Sequence, residues 1–282
     1  MSKVWLITGS SRGIGRALAE AVLASGDQLV ATALAHEIDR LSDLAERHSG
    51  QVRVVPLDVT AEEEIAPAIR SALDAFGRLD VLVNNAGYGN VSPLEDTSMA
   101  DIRRQIETNL FGTISVTKAA LPVMRQQGSG HIIQFSSIAG RMGPAGRAAY
   151  AAAKWGVEGF SEALAREVGP LGIRVTIIEP GGFRTDFAGA STTLYEGRGE
   201  YAGTVGKVVE FQRAYNGNQP GDPVKAAGVL VHIAGLQDPP QRLLLGSDAY
   251  QAAEQNDIAR LEAQRLWRDL SVSTDFEVSE GN

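Results

Sequence analysis

Short apolar runs alternate with longer stretches whose apolar residues recur every three or four positions, from the first residues almost to the last. Residues 4–8, opening on Val4, Trp5, Leu6 and Ile7, predict a strand. Over 13–25, Ile14, Leu18, Ala21 and Val22 fall on one face of a helix. The same alternation predicts strands at 28–33, 52–57, 79–83, 131–135, 173–178 and 243–245, and helices at 37–47, 62–76, 102–127, 148–168 and 223–236. Strands separated by helices need crossover connections, and these put helices on both faces of a parallel sheet. The expected fold class is therefore α/β, a doubly wound parallel sheet in three layers. No internal repeat or linker divides the chain, so 1–282 reads as a single domain. Residues 186–221 are rich in glycine and aromatics and read as a loop or lid. Residues 248–270 read as a C-terminal helical extension, and 271–282 as a polar tail that frays.

Composition narrows the partners. With 26 Lys and Arg against 34 Asp and Glu, the net charge is −8, and no basic block is present. This argues against nucleic acid or an anionic membrane surface and leaves a small molecule as the expected partner. There is no cysteine, and the four histidines (His36, His48, His131, His232) are scattered, so no metal site is expected. No apolar run approaches the length of a membrane span, and no basic n-region with an apolar h-region precedes Val4, so a cytoplasmic location is expected.

Two local patterns carry chemistry. Thr8-Gly9-Ser10-Ser11-Arg12-Gly13-Ile14-Gly15 lies between the first strand and the first helix. Glycines there let the backbone turn sharply and approach a pyrophosphate, which the helix start attracts through its unpaired N–H groups. The spacing is Gly-x3-Gly-x-Gly, which is neither the usual dinucleotide fingerprint nor a Walker loop. Tyr150 and Lys154 are four apart on a predicted helix and share a face. An ammonium beside a phenol favours the phenolate, so Lys154 is expected to lower the Tyr150 pKa toward a useful acid–base range. Taken alone, each pattern also fits a structural role: a bland glycine turn, or a half-buried Tyr beside a snorkelling Lys. Asn109 is a poor helix former inside the predicted 102–127 helix. By position, Ala33 stands at the end of the second strand, where NAD-binding folds place an acid for the ribose 2′-OH.

Together, Thr8 to Gly15, Asn84-Asn85-Ala86-Gly87, Asn109, Ser137 and Tyr150-x3-Lys154 resemble the short-chain dehydrogenase/reductase family, in register from about residue 3 to Thr185. The resemblance implies a Rossmann-like sheet of about seven strands and direct hydride transfer between a nicotinamide and a carbonyl/alcohol pair. Tyr150 would be the acid and base, and Ser137 would bond the substrate oxygen. Lys154 would also hold the nicotinamide ribose, and Asn109 would perturb its helix and hold a water leading to Lys154. The cofactor contacts it implies are Gly9, Ser11, Arg12, Gly13, Ile14, Gly15, Asp58, Val59, Asn85, Ala86, Gly87, Tyr150, Lys154, Pro180, Gly181, Phe183 and Thr185, the Phe183 contact through backbone only. Arg12 and the missing acid at Ala33 favour NADP(H), with NAD(H) as the other candidate and a solvated turn as the plain reading of Arg12. Tyr88, Arg141, Met142, Phe183 and Phe187 are candidate pocket walls around a fairly apolar substrate. A homodimer or homotetramer built through the 102–127 and 148–168 helices is implied as well. Two other readings stay open: an acyl-carrier-protein-linked 3-ketoacyl reductase, which needs a basic docking patch, and a non-catalytic NADPH-binding redox sensor, which needs a damaged tetrad.

Overall fold

The structure, a computed structural model, describes residues 2–189 and 191–276. Its centre is a seven-stranded parallel sheet in the order β3-β2-β1-β4-β5-β6-β7. The strands are β1 (Val4–Ile7), β2 (Gln28–Ala33), β3 (Val52–Pro56), β4 (Val81–Asn84), β5 (Gly130–Phe135), β6 (Ile173–Pro180) and β7 (Arg242–Leu245). The helices, in chain order, are α1 (Gly13–Ala24), α2 (Ser42–Arg47), α3 (Glu62–Phe76), α4 (Met99–Ile106), α5 (Gly112–Gln127), α6 (Ala148–Val168), α7 (Lys207–Tyr215), α8 (Pro223–Ala234), α9 (Ser247–Leu266) and α10 (Arg268–Val272).

Alternation along the strands divides the core in two. Trp5 and Ile7 of β1 face α1 and α8, while Val4 and Leu6 face the layer of α3, α5 and α6. The central strands are buried on both faces, which explains their near-continuous apolar sequence. The strand order reverses between β1 and β4, and their carboxyl ends open a crevice there.

The elements differ from expectation at four places. The 37–47 stretch starts earlier, as a 3₁₀ turn over Ala35–Leu41, and only then becomes α2. The long 102–127 helix starts at Met99, where the Ser98 hydroxyl accepts from the Asp101 N–H as an N-cap. It is also interrupted at Glu107–Phe111 by a π turn, in which the Gly112 N–H reaches back to the Glu107 carbonyl. The 186–221 segment is not a plain loop, because it carries α7. Helical structure also enters the tail, with α10 ending at Val272, while 277–282 lie outside the described residues. No helix among the described residues is long and apolar enough to cross a membrane.

The sheet buries one ionisable ring. His131 on β5 lies 2.9 Å from Thr176 Oγ1 through Nε2, and the Thr176 hydroxyl donates to the Pro240 carbonyl. Nε2 is therefore the donor of a neutral ring. Burial, helped by Lys3 and Arg174, pushes the His131 pKa from 6.5 to about 4. Between these values the unfolded chain binds a proton that the folded chain does not, so stability falls as pH drops through this window. Chemical denaturation should show a loss of about 2 kcal/mol between pH 7 and pH 5 from this group. His131→Asn should flatten that slope, and an unchanged slope would reject the assignment.

Candidate active site

The turn between β1 and α1 forms one end of the crevice. Gly9 (φ +70°) and Gly13 (φ +60°) adopt left-handed backbone conformations that side chains disfavour. Arg12 occupies the N-cap of α1 but makes no side-chain cap, and no acid lies in the first turn. The leading N–H groups and the positive end of the helix are thus left for an anion. The turn is stitched to β4. The Thr8 hydroxyl accepts from the N–H groups of Asn85 and Ala86, both at 3.0 Å, and the Asn85 amide donates to the carbonyls of Thr8 and Gly9. A methyl on Gly15 would collide with the Gly9 carbonyl and the Asn85 amide, so this glycine lets α1 close on the strand.

Beside the turn, Ala33 and Leu34 line the cavity with Asp58 and Val59. The Asp58 carboxylate accepts from the N–H and hydroxyl of Thr60, fixing the bend after β3. Glu37, on the 3₁₀ turn after β2, brings an acid to the place where Ala33 offers none. Its carboxylate accepts from the Ser11 hydroxyl at 2.7 Å and pairs with Arg12 at 3.1 Å.

At the other end, α6 presents Tyr150 and Lys154 to the cavity. The Lys154 ammonium donates to the Phe135 carbonyl at 2.7 Å and lies 5.7 Å from the Tyr150 ring centroid. Ser137 begins the short turn Ile138–Gly140, accepting from the Ala139 N–H at 3.1 Å, and it lines the same cavity as Tyr150. Burial pushes the Tyr150 pKa above its usual value, and the Ser137 hydroxyl and the Arg147 guanidinium only partly offset this. Lys154 is not the charge that draws it down, which corrects the sequence expectation. Burial takes Lys154 itself down to about 8, against the pull of Glu158. Asn109, fully buried in the π turn, accepts from the Tyr88 N–H at 3.0 Å and donates to the Tyr88 and Gln105 carbonyls. A methyl on Gly87 would strike the Asn109 side-chain oxygen and lie 3.7 Å from Lys154 Nζ. Asn109 thus supports the loop beside Lys154 from behind.

Both ends belong to one cavity of about 790 Å³. The family described as short chain dehydrogenase matches residues 3–195. The chain belongs to that family. It is 44% identical over 276 residues to oxidoreductase BOA17 of Botryotinia fuckeliana, a match covering 97% of this chain and 100% of that one. A crystal structure of a short-chain dehydrogenase from Streptomyces avermitilis superposes with a TM-score of 0.91 at 39% identity, covering 98% of this chain and 100% of the other. An alcohol dehydrogenase from the archaeon Thermococcus sibiricus, solved with 5-hydroxy-NADP, superposes with a TM-score of 0.71 at 27% identity, covering 87% and 96%. As a short-chain dehydrogenase, the chain is an oxidoreductase with a nucleotide-binding fold.

In this family member, Ser137, Tyr150 and Lys154 line the cavity, as do all the expected cofactor residues except Gly15, which packs behind the turn. Asn109 also stands behind the wall. Tyr88, Met142, Phe183 and Phe187 are walls, with the Phe187 ring 5.8 Å from that of Tyr150. Arg141 is not among them: it turns to Glu179 at 2.7 Å and to Asp257 of α9 at 2.6 Å. Among the polar lining residues that escaped the sequence reading are Glu37, Arg147, Gln212 and Asp248. Only Arg147 had a local signal, standing three residues ahead of Tyr150. Asp248 accepts from the Gly182 N–H at 2.7 Å and from the Tyr215 hydroxyl at 3.2 Å, and burial beside it pushes Tyr215 up to about 12. The C-terminal helix thereby holds both the segment after β6 and α7. The glycine turn gives a direct test. Gly15→Ala should lose about 1–3 kcal/mol in urea denaturation and weaken binding of adenine dinucleotides. Gly159→Ala, on α6 with open space at its Cβ, should be neutral or slightly stabilising. Equal behaviour of the two variants would contradict the packing argument.

Proposed function

We propose that the protein interconverts a ketone and a secondary alcohol with a nicotinamide dinucleotide, Tyr150 serving as the acid and base. One observation carries this reading: Ser137, Tyr150 and Lys154 face the same cavity as an uncapped helix start behind a glycine turn. The turn residues fit a pyrophosphate, because no side chain caps the start of α1 and a Cβ at Gly15 has no room. A bound nicotinamide supplies or accepts the hydride at the substrate carbon. Tyr150 gives its phenolic proton to the carbonyl oxygen in reduction and takes it back in oxidation, while Ser137 donates a hydrogen bond to the same oxygen. The Arg147 guanidinium, 5.8 Å from the Tyr150 ring centroid, favours the phenolate left behind. Lys154 also serves as the ribose contact. The tetrad of Asn109, Ser137, Tyr150 and Lys154 is complete, which supports turnover over a sensor role.

NADP(H) is the favoured form in this reading, with Arg12 turning to a 2′-phosphate. The Arg12–Glu37 pair is partly exposed, so breaking it costs little. Glu37 holds the preference down, since its carboxylate suits a 2′-OH and opposes a phosphate. Glu37→Gln should shift the ratio of NADH to NADPH dissociation constants about tenfold toward NADPH, roughly 1.4 kcal/mol, read by nucleotide fluorescence. An unmoved ratio would remove Glu37 from cofactor choice. Tyr150→Phe should lower kcat/KM for a ketone by about 10²- to 10⁴-fold while leaving dinucleotide affinity nearly unchanged. Near-normal turnover in that variant would overturn the assigned role.

A further inference from the structure

Arg147 is the residue before α6, and its side chain borders the cavity at the Tyr150 end. The guanidinium lies 5.8 Å from the Tyr150 ring centroid. Tyr150, Arg147 and Phe187 converge on Gly89, where a methyl would meet all three at 3.0–3.2 Å. Among the described residues, five arginines are not exposed: Arg12, Arg16, Arg141, Arg147 and Arg242. Four of them have a carboxylate within ion-pair distance: Glu37 for Arg12, Glu20 and Asp43 for Arg16, Glu179 and Asp257 for Arg141, and Glu158 and Glu162 for Arg242. Arg147 has none among the described residues. Its side chain donates instead to the neutral Gln212 oxygen of α7, at 3.1 Å.

Placing a guanidinium in a desolvated corner without an anion is unfavourable. Burial accordingly pulls the Arg147 pKa down, and only Tyr150 acts against it. A fold that gives its other sheltered arginines acidic partners leaves this one aimed at the reaction centre. We propose that Arg147 receives the carboxylate of the substrate, so that the enzyme acts on a keto acid and hydroxy acid pair. This rests on the hydride-transfer reading above and names its substrate class. The planar fork suits a carboxylate, and Gln212 holds the fork in place. The Phe187, Phe211 and Met142 walls leave room for an apolar body between the acid and the cofactor side. In reduction, hydride adds to the carbonyl carbon and the Tyr150 proton to its oxygen, and the carboxylate is unchanged.

The test compares 4-oxo-4-phenylbutanoate with its neutral amide, 4-oxo-4-phenylbutanamide, as substrates of the wild type, Arg147→Met and Arg147→Lys, with NADPH and with NADH. The acid-to-amide ratio of kcat/KM cancels any effect of Arg147 on Tyr150, which both probes share. Wild type should prefer the acid. Arg147→Met should reduce that ratio about 10- to 100-fold, and Arg147→Lys should recover part of it. A second readout needs no turnover: in the dinucleotide-loaded enzyme, 4-phenylbutanoate should raise the melting temperature of wild type more than 4-phenylbutanamide does, and this difference should vanish in Arg147→Met. An equal fall for both probes would make Arg147 only a tuner of Tyr150 and overturn the proposal, as would a wild-type preference for the amide. If neither ketone and no neutral ketone is reduced, the hydride-transfer reading fails. The melting arm then decides the anion site alone, and no Arg147-dependent shift overturns it.

Discussion

A parallel sheet whose strand order reverses leaves a gap between two strand ends that no crossover helix can cover, and the site of this protein is organised around that gap between β1 and β4. The gap exposes the end of each backbone, so its polar atoms need partners. Thr8 and Asn85 supply them for each other's strand, with a hydroxyl and an amide reaching across in opposite directions. This mutual satisfaction leaves the leading N–H groups of α1 as the donors still facing the opening. An uncapped helix start is thus what remains after the fold has met its own hydrogen-bonding needs.

The reaction end is organised by charge in a restricted volume. Lys154 is committed to the Phe135 carbonyl and shifted down by burial, with only the Glu158 charge acting against that shift. Tyr150 is pushed toward its neutral form, with Ser137 and Arg147 on the opposing side. A phenol kept protonated is a ready proton donor, and one flanked by cations is a tolerable phenolate. The two tendencies are set by different neighbours, which allows proton traffic in both directions.

Much of this was legible in the sequence because it is local. The Tyr150–Lys154 spacing, the glycine turn and the strand periodicities are each local, and the parallel arrangement of the strands follows from repeated crossovers. What was hidden depends on approach between distant segments. Glu37 reaches the turn from a 3₁₀ stretch that periodicity read as a regular helix, and its meaning appears only beside Ser11 and Arg12. Asp248 is remote from Gly182 and Tyr215 in sequence, yet bonds both. Arg141 was read as a candidate wall, but two carboxylates claim it elsewhere. Even the pKa expectation failed for this reason: the four-residue spacing was right, but the ammonium had found a carbonyl.

The π turn at Glu107–Phe111 has a consequence for how this fold can vary. A wider turn holds one more residue than an α turn, and each residue advances a helix by about 100°. The turn therefore offsets α5 by about one residue from the phase that α4 would otherwise continue. Asn109 stands at the phase change, clasping the loop beside Lys154. Losing one residue here would rotate one half of the rod against the other and swing the amide out of reach. Chain length is thus fixed most tightly inside a helix, at the place where a helix is ordinarily most forgiving of sequence.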